Sequence, residues 1–264
     1  MVFTASFVLA QRELIRFVRQ RNRVIGALAT PIVFWLLIGS GMGRSFAGPG
    51  AATGEGYLSY FFPGTILMIL LFTAIFSTIS VIEDRREGFL QGVLVAPVGR
   101  VAIVMGKVLG GAVLATGQAM LFLLLGWLTG VAQFSPLGLI ELIGIMFITS
   151  IGLTALGLCI AWPLSSTHAF HALMNIFLMP MWILSGALFP IRDDTPRILQ
   201  FVMLANPLSF ALASIRNVLW AKDVGRSAHV MSMSMSVSVT LVAAIAMVLV
   251  TILVAQRRSA ADAV

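Results

Sequence analysis

The sequence predicts an all-α integral membrane protein with six transmembrane helices. Three observations carry this. Hydrophobic residues make up 59% of the chain and charged residues only 10%, with a mean hydropathy of +1.02; soluble domains hold about 45–50% apolar and about 25% charged residues. Several stretches stay apolar and nearly uncharged over the ~18 residues or more that a crossing helix needs. No barrel-type alternation runs through them, so backbone in lipid satisfies its own hydrogen bonds as helix.

The chain opens on a basic amphipathic helix, residues 1–23. Arg12, Arg16, Arg19 and Arg23 recur at helical spacing on one face, and Phe3, Phe7, Ala10, Leu14, Phe17 and Val18 form the other. Such a helix lies in the headgroup plane with its arginines toward anionic lipid. The plainer reading is a positively charged flank with no defined helix. The first apolar stretch begins only near residue 24, after five arginines, and is too long for a signal-peptide core.

Spans follow at about 24–43, 58–82, 101–130, 137–163, 168–190 and 230–255. Pro31, Pro63, Pro163 and Pro180 fall within or at the edge of spans, where kinks are expected. Between the second and third spans, residues 83–100 are dense in charge: Glu83, Asp84, Arg85, Arg86 and Glu87, then Arg100. Gly88 lets the chain turn before Phe89. Leu90 and Leu94 stand one helical turn apart. A short helix from about residue 86 to 95, ended by Pro97, thus presents an apolar ridge with a charged shoulder. Such a half-apolar surface packs against a partner. Residues 191–229 form the largest connection on the opposite side. There Pro207 to Trp220 turns apolar again but is too short to cross and contains Arg216, so it reads as a short interfacial or re-entrant helix.

Eleven Lys and Arg residues fall on the side of the N-terminus and residues 83–107, against six on the other. The positive-inside rule places both termini and the charged segment in the cytoplasm. The net charge of +7 is therefore topological, and no basic tract interleaved with aromatics points to nucleic acid.

Catalytic motifs are absent. The nearest approach to a phosphate-binding P-loop is Met105-Gly106-Lys107-Val108, with Val101 where the first glycine belongs and Val108 where Ser or Thr belongs. No His-Glu-x-x-His or Gly-x-Ser-x-Gly occurs. The chain is expected to be no enzyme and to carry no cofactor or metal. Its single cysteine, Cys159, allows no intrachain disulfide. Glu141 lies one turn inside the fourth span, a candidate for the translocation path or a side chain that snorkels to the interface. His168, His171 and Asn175 share a helical face and lack a third metal ligand, which favours a polar helix–helix seam. Met231, Met233 and Met235 do not share a face, which weighs against a copper site. The scarcity of membrane-embedded acids weighs against a proton-coupled carrier.

The run Asp84-Arg85-Arg86-Glu87-Gly88, followed by Leu94, Pro97, Arg100 and Gly106-Lys107, resembles the cytoplasmic loop of ABC-2-type transport permeases, in the branch of drug-efflux and nodulation-factor exporters. The resemblance extends over the basic N-terminal helix, the six spans and the large outer loop, where Asn206-Pro207 resembles the family's re-entrant element. It implies one transmembrane domain spanning residues 1–264, the permease of an ATP-driven exporter in the bacterial cytoplasmic membrane. Two permease copies, a homodimer, would join two separate ABC ATP-binding subunits that hold the ATP and magnesium. Residues 83–100 would be the coupling segment docking on the ATPase, beside the N-terminal interface helix. Other readings are a secondary carrier without an ATPase and a non-transporting membrane assembly factor.

Overall fold

The structure, a computed structural model, describes residues 2–41, 57–89, 92, 99–189, 195–220 and 231–261. Helices α1 (Val2–Arg19) and α2 (Arg21–Gly41) meet at Gln20, and α3 (Tyr57–Ser77) continues past Thr78 into α4 (Ile79–Arg86). Two long antiparallel helices follow, α5 (Arg100–Leu128) and α6 (Pro136–Ala161). Then come α7 (Thr167–Trp182), the short pair α8 (Arg197–Ala205) and α9 (Pro207–Leu219), and the last long helix α10 (Met233–Ala261). No strand occurs among the described residues.

Five helices are long and apolar enough to cross a bilayer: α3 with α4, α5, α6, α7 with the turn that follows it, and α10. The bent pair α8–α9 is a sixth candidate if it counts as one span, and the first expected span falls on α2. Its apolar part, Ile25–Gly41, is shorter, yet at ~1.5 Å per residue it still reaches about 26 Å, close to a hydrocarbon core. Polar caps set the ends. Ser135 Oγ accepts from the Gly138 amide at 3.0 Å, with Pro136 opening α6, and Ser166 Oγ accepts from Ala169 N at 3.4 Å at the start of α7.

Helix α3 is the centre of the bundle. Of its most apolar window, run on into α4, 89% is buried, against 33% for α7 and 17% for α10. At the end away from the termini its aromatic residues interlock with those of other helices. Phe62 stacks on Phe122 at 4.8 Å, and Trp35 packs edge-on to both at 5.5–5.7 Å. Gly126 leaves the space that the Phe62 ring fills. We call this the aromatic end. The other, charged end brings both chain ends together with the segment after α4. There Arg100 Nη1 donates to the Gln256 carbonyl near the end of α10 at 2.8 Å, and α1 lies along the first turns of α5.

The stretch expected to form a short interfacial or re-entrant helix is the second member of a bent helix pair. Helices α8 and α9 meet at an angle of 76° around Asn206, whose Oδ1 accepts from the Leu208 amide at 3.0 Å while its Nδ2 donates to the Met181 carbonyl at 2.6 Å. The break in α7 is not centred on a proline. Pro31, Pro63 and Pro180 all lie inside helices, whereas α7 gives way to a π-helical turn at Ile183–Ala187, where Gly186 takes φ +85°.

Helix α1 differs from the two-faced expectation. Ser6, Ala10, Glu13 and Phe17 form a buried row against α5, while Phe3, Phe7 and Val18 stay exposed. Gly106 and Gly110 make the close approach possible. A Cβ on Gly106 would meet Leu9 Cβ at 2.7 Å and the Ser6 carbonyl at 2.9 Å, and one on Gly110 would meet Glu13 Cβ at 2.9 Å. Overpacking such a contact costs about 1–3 kcal/mol. Gly106→Val should therefore lower the melting temperature of the detergent-solubilised protein by several degrees and expose α1 to protease. Gly117→Val, in open space, should leave both unchanged.

Candidate functional site

At the charged end, three helices bring seven ionisable side chains together. Asp84, on the last turn of α4, is fully buried. Arg12 reaches it with two parallel hydrogen bonds, Nη2 to Oδ1 at 2.8 Å and Nη1 to Oδ2 at 3.1 Å, and Arg16 Nη1 adds a third at 2.8 Å. Lys107, on the second turn of α5 and also buried, donates to Asp84, to Glu13 Oε1 at 2.6 Å and to Ser80 Oγ at 3.0 Å. Glu83 takes Arg16 Nη2 at 2.8 Å, and Glu87 stands 3.7 Å from the same nitrogen.

Sequence spacing explains the meeting. Arg12 and Arg16 are one turn apart on α1, and Glu13 projects beside them toward α5. Ser80 and Asp84 are one turn apart on α4. The hydrogen bond to Asp84, helped by the nearby carboxylates, raises the Arg12 pKa further above its ordinary value, so this cation never titrates. Each buried charge has an opposite charge and fixed donors around it, the condition under which a buried ion pair is tolerated.

Arg12 and Arg16 were expected to face anionic lipid; they turn onto the carboxylates of α4 instead. A buried carboxylate attracts a cation far more strongly than a hydrated headgroup does, because the low dielectric does not screen it. Arg19 is exposed, and the Arg23 side chain lies outside the described residues. The chain also buries more charge than its sequence suggests: Glu13, Asp84 and Lys107 here, and Arg216 near the aromatic end.

The segment after α4 begins as expected. Gly88 takes φ +76°, and a helical turn starts at Phe89 with Gly92 N donating to Gly88 O at 3.2 Å. Leu90, Leu94 and Pro97 lie outside the described residues. Phe89 has its ring 3.6 Å from the Arg12 guanidinium carbon and keeps 36% of its surface exposed. The basic residues of the segment are engaged within the chain. Arg85 donates to the carbonyls of Trp162 at 2.7 Å and Leu164 at 3.1 Å, Arg86 donates to Ser165 O at 3.1 Å, and Arg100 binds α10 as described. Among the described residues of the segment, Arg86, Glu87, Gly88, Phe89, Gly92 and Gly99 are exposed.

The polar residues of the other spans are placed differently. Glu141, His168, His171 and Asn175 are all exposed. The polar helix–helix seam expected of His168, His171 and Asn175 does not form within the chain, where all three are exposed. Phe170, Met174, Leu178 and Trp182 are the buried row of α7, which turns the polar residues outward; the His171 ring lies 5.3 Å from Phe76 and 6.3 Å from Phe170.

The ABC-2 type transporter family model matches residues 4–220. A Cyanophora paradoxa protein named as transport permease ycf38 is 28% identical over 212 residues, which cover 80% of this chain and 72% of that one. Nodulation protein J of Rhizobium leguminosarum bv. viciae is 25% identical over 76% of each chain. The linearmycin resistance permease protein LnrN of Bacillus subtilis is 26% identical over 59% of this chain and 40% of its own.

Removing one member of a buried, paired cluster leaves its partners uncompensated, at about 3–5 kcal/mol. Asp84→Asn leaves Arg12 and Arg16 of α1 and Lys107 of α5 around a position that no longer carries charge. It should cause a clear fall in melting temperature of the detergent-solubilised protein, larger than Lys107→Met, which leaves Asp84 its two arginines. Arg19→Gln should be neutral. Wild-type melting of Asp84→Asn would remove this cluster from the interactions that hold the charged end together.

Proposed function

The chain belongs to the ABC-2 type transporter family, and on that premise we propose that it is the permease of an ATP-driven exporter in a bacterial cytoplasmic membrane. Its termini and residues 83–100 face the cytoplasm, where two ABC ATP-binding subunits, carrying the ATP and magnesium, dock. Two copies of the chain, a homodimer, enclose the translocation path. The family membership makes it a membrane subunit of an ABC transporter and no enzyme; the partners, copy number and direction are our reading.

The observation that carries the reading is the rigid block at the charged end. Asp84 and its cations lock α1, α4 and α5 together, so a push on the segment after α4 is delivered to three helices at once. The exposed Glu87, Gly88 and Phe89 are the surface offered to the ATPase. The outward His171 and Asn175 support a second copy across α7, because polar groups left facing lipid are costly. A path between two such faces carries no acid relay, which suits an energy source outside the membrane.

Two experiments test this. The permease co-expressed with the ATP-binding subunits encoded beside it should retain them through purification. Leu94→Ala with Phe89→Ala should weaken that association or uncouple hydrolysis from export; anchors of this kind typically cost about 2 kcal/mol or more. Wild-type association and hydrolysis in the double variant would remove the segment from the interface. In a Cys159→Ala background, an impermeant thiol reagent should label Thr129→Cys in intact cells and spare Glu87→Cys. The reverse pattern would invert the orientation.

A further inference from the structure

We infer that Arg85 and Arg86 are positioning residues that carry movement of the coupling segment into α7, which swings about the π-helical turn at Ile183–Ala187. The inference rests on the proposed docking of an ATPase at residues 83–100 and identifies the helix that responds to it.

Arg85 and Arg86 extend from the end of α4 to the connection between α6 and α7. Their acceptors, the carbonyls of Trp162, Leu164 and Ser165, follow the last turn of α6 and lead directly into Ser166, which caps α7. Pro163 has no amide hydrogen, and carbonyls at a helix C-terminus attract cations, so this is a favourable grip for two guanidinium groups. A displacement of the segment after α4 thus pulls on the first residues of α7.

Helix α7 is built to yield to that pull. It packs through a single row, Phe170, Met174, Leu178 and Trp182, and most of its remaining surface is exposed. The helix that ends in Arg85 and Arg86 is, by contrast, buried along nearly its whole length. At the far end of α7 the backbone is broken by the π-helical turn and by Gly186 at φ +85°. The carbonyls around that break are held by side chains of other elements. Asn206 donates to Met181 O at 2.6 Å, Tyr60 and Arg216 to Gly186 O at 3.0 and 2.9 Å, and Tyr57 to Leu188 O at 2.6 Å. Pinned at one end and gripped at the other, α7 turns about the break. The surface it moves is the one bearing His171 and Asn175.

The test uses the permease purified with its ATP-binding subunits, with Cys159→Ala and spin labels at Ala172→Cys on α7 and Leu253→Cys on α10. Labelled chains are diluted into unlabelled ones. A non-hydrolysable ATP analogue should change the distance between the labels. Arg85→Gln with Arg86→Gln should abolish that change, read on purified complexes that retain their ATPases and bind nucleotide. Arg85→Lys should restore part of it. Arg86→Gln alone, on an exposed side chain that folding tolerates, should reduce it. A change of wild-type size in the double variant would overturn the inference, as would an unmoved α7 in a nucleotide-loaded wild-type complex. Failure of any ATPase to associate with the wild type would overturn the docking reading and this inference with it.

Discussion

The charged end depends on one buried carboxylate. Asp84 has no access to water, so its charge is sustained only by Lys107, Arg12 and Arg16. These come from helices that sequence separates widely, and the bonds form only if α1 lies against α5 within van der Waals distance. Gly106 and Gly110 permit that approach, and Gly106 immediately precedes the lysine that the approach brings to Glu13. Packing and electrostatics are thus conditions for each other. If α1 lifts away, Lys107 loses Glu13 and Asp84 loses both arginines; if the ion pairs are lost, buried charge drives the helices apart.

The two ends of the bundle are held by different physics. At the aromatic end, stacked rings fill the space between spans, and side-chain donors occupy carbonyls left free by irregular backbone. Backbone that leaves the helix within a membrane needs such donors, since lipid offers none. Arg216 serves there against the rings of Tyr60 and Trp220, its guanidinium carbon 4.5 and 5.1 Å from their centroids. It stands at the last turn of α9, where helix carbonyls favour a positive charge. At the charged end the same class of bond, arginine to carbonyl, joins regular helices to one another. The result is a stiff block at one end and a chain of capped breaks at the other.

What the sequence made legible follows from how far each signal travels along the chain. Span positions and the bend at Asn206 are local: hydropathy marks the first, and a short apolar stretch opened by Asn206-Pro207 marks the second. The turn at Gly88 is local too. The ion-pair cluster is not. Glu13 is separated from Lys107 by 94 residues, and each reads in isolation as ordinary flanking charge. One signal was nevertheless present. Arg12 and Glu13 are adjacent on α1, and a lone acid on an otherwise basic helix calls for a cation on the neighbouring helix. The glycine pair at 106 and 110 marked a close contact without naming the partner. The kink in α7 escaped for a related reason. Pro180 drew attention, but a proline inside a span is accommodated by its neighbours, whereas Gly186 adopts a conformation other residues resist.

The distribution of charge bears on how work enters the molecule. Among the described residues, Asp and Glu gather at the charged end, with Glu141 exposed near the start of α6 as the exception. No acid stands in the middle of a span to take up and release a proton. In the proposed reading, work reaches this chain through contact with an ATPase, and contact transmits work only through a stiff element. Isolated surface ion pairs would be too weak and too easily screened for that. A desolvated cluster is stiff because every alternative arrangement leaves a charge unpaired. Burial of Asp84, costly for stability taken alone, is in this light the feature that makes the charged end fit to be pushed.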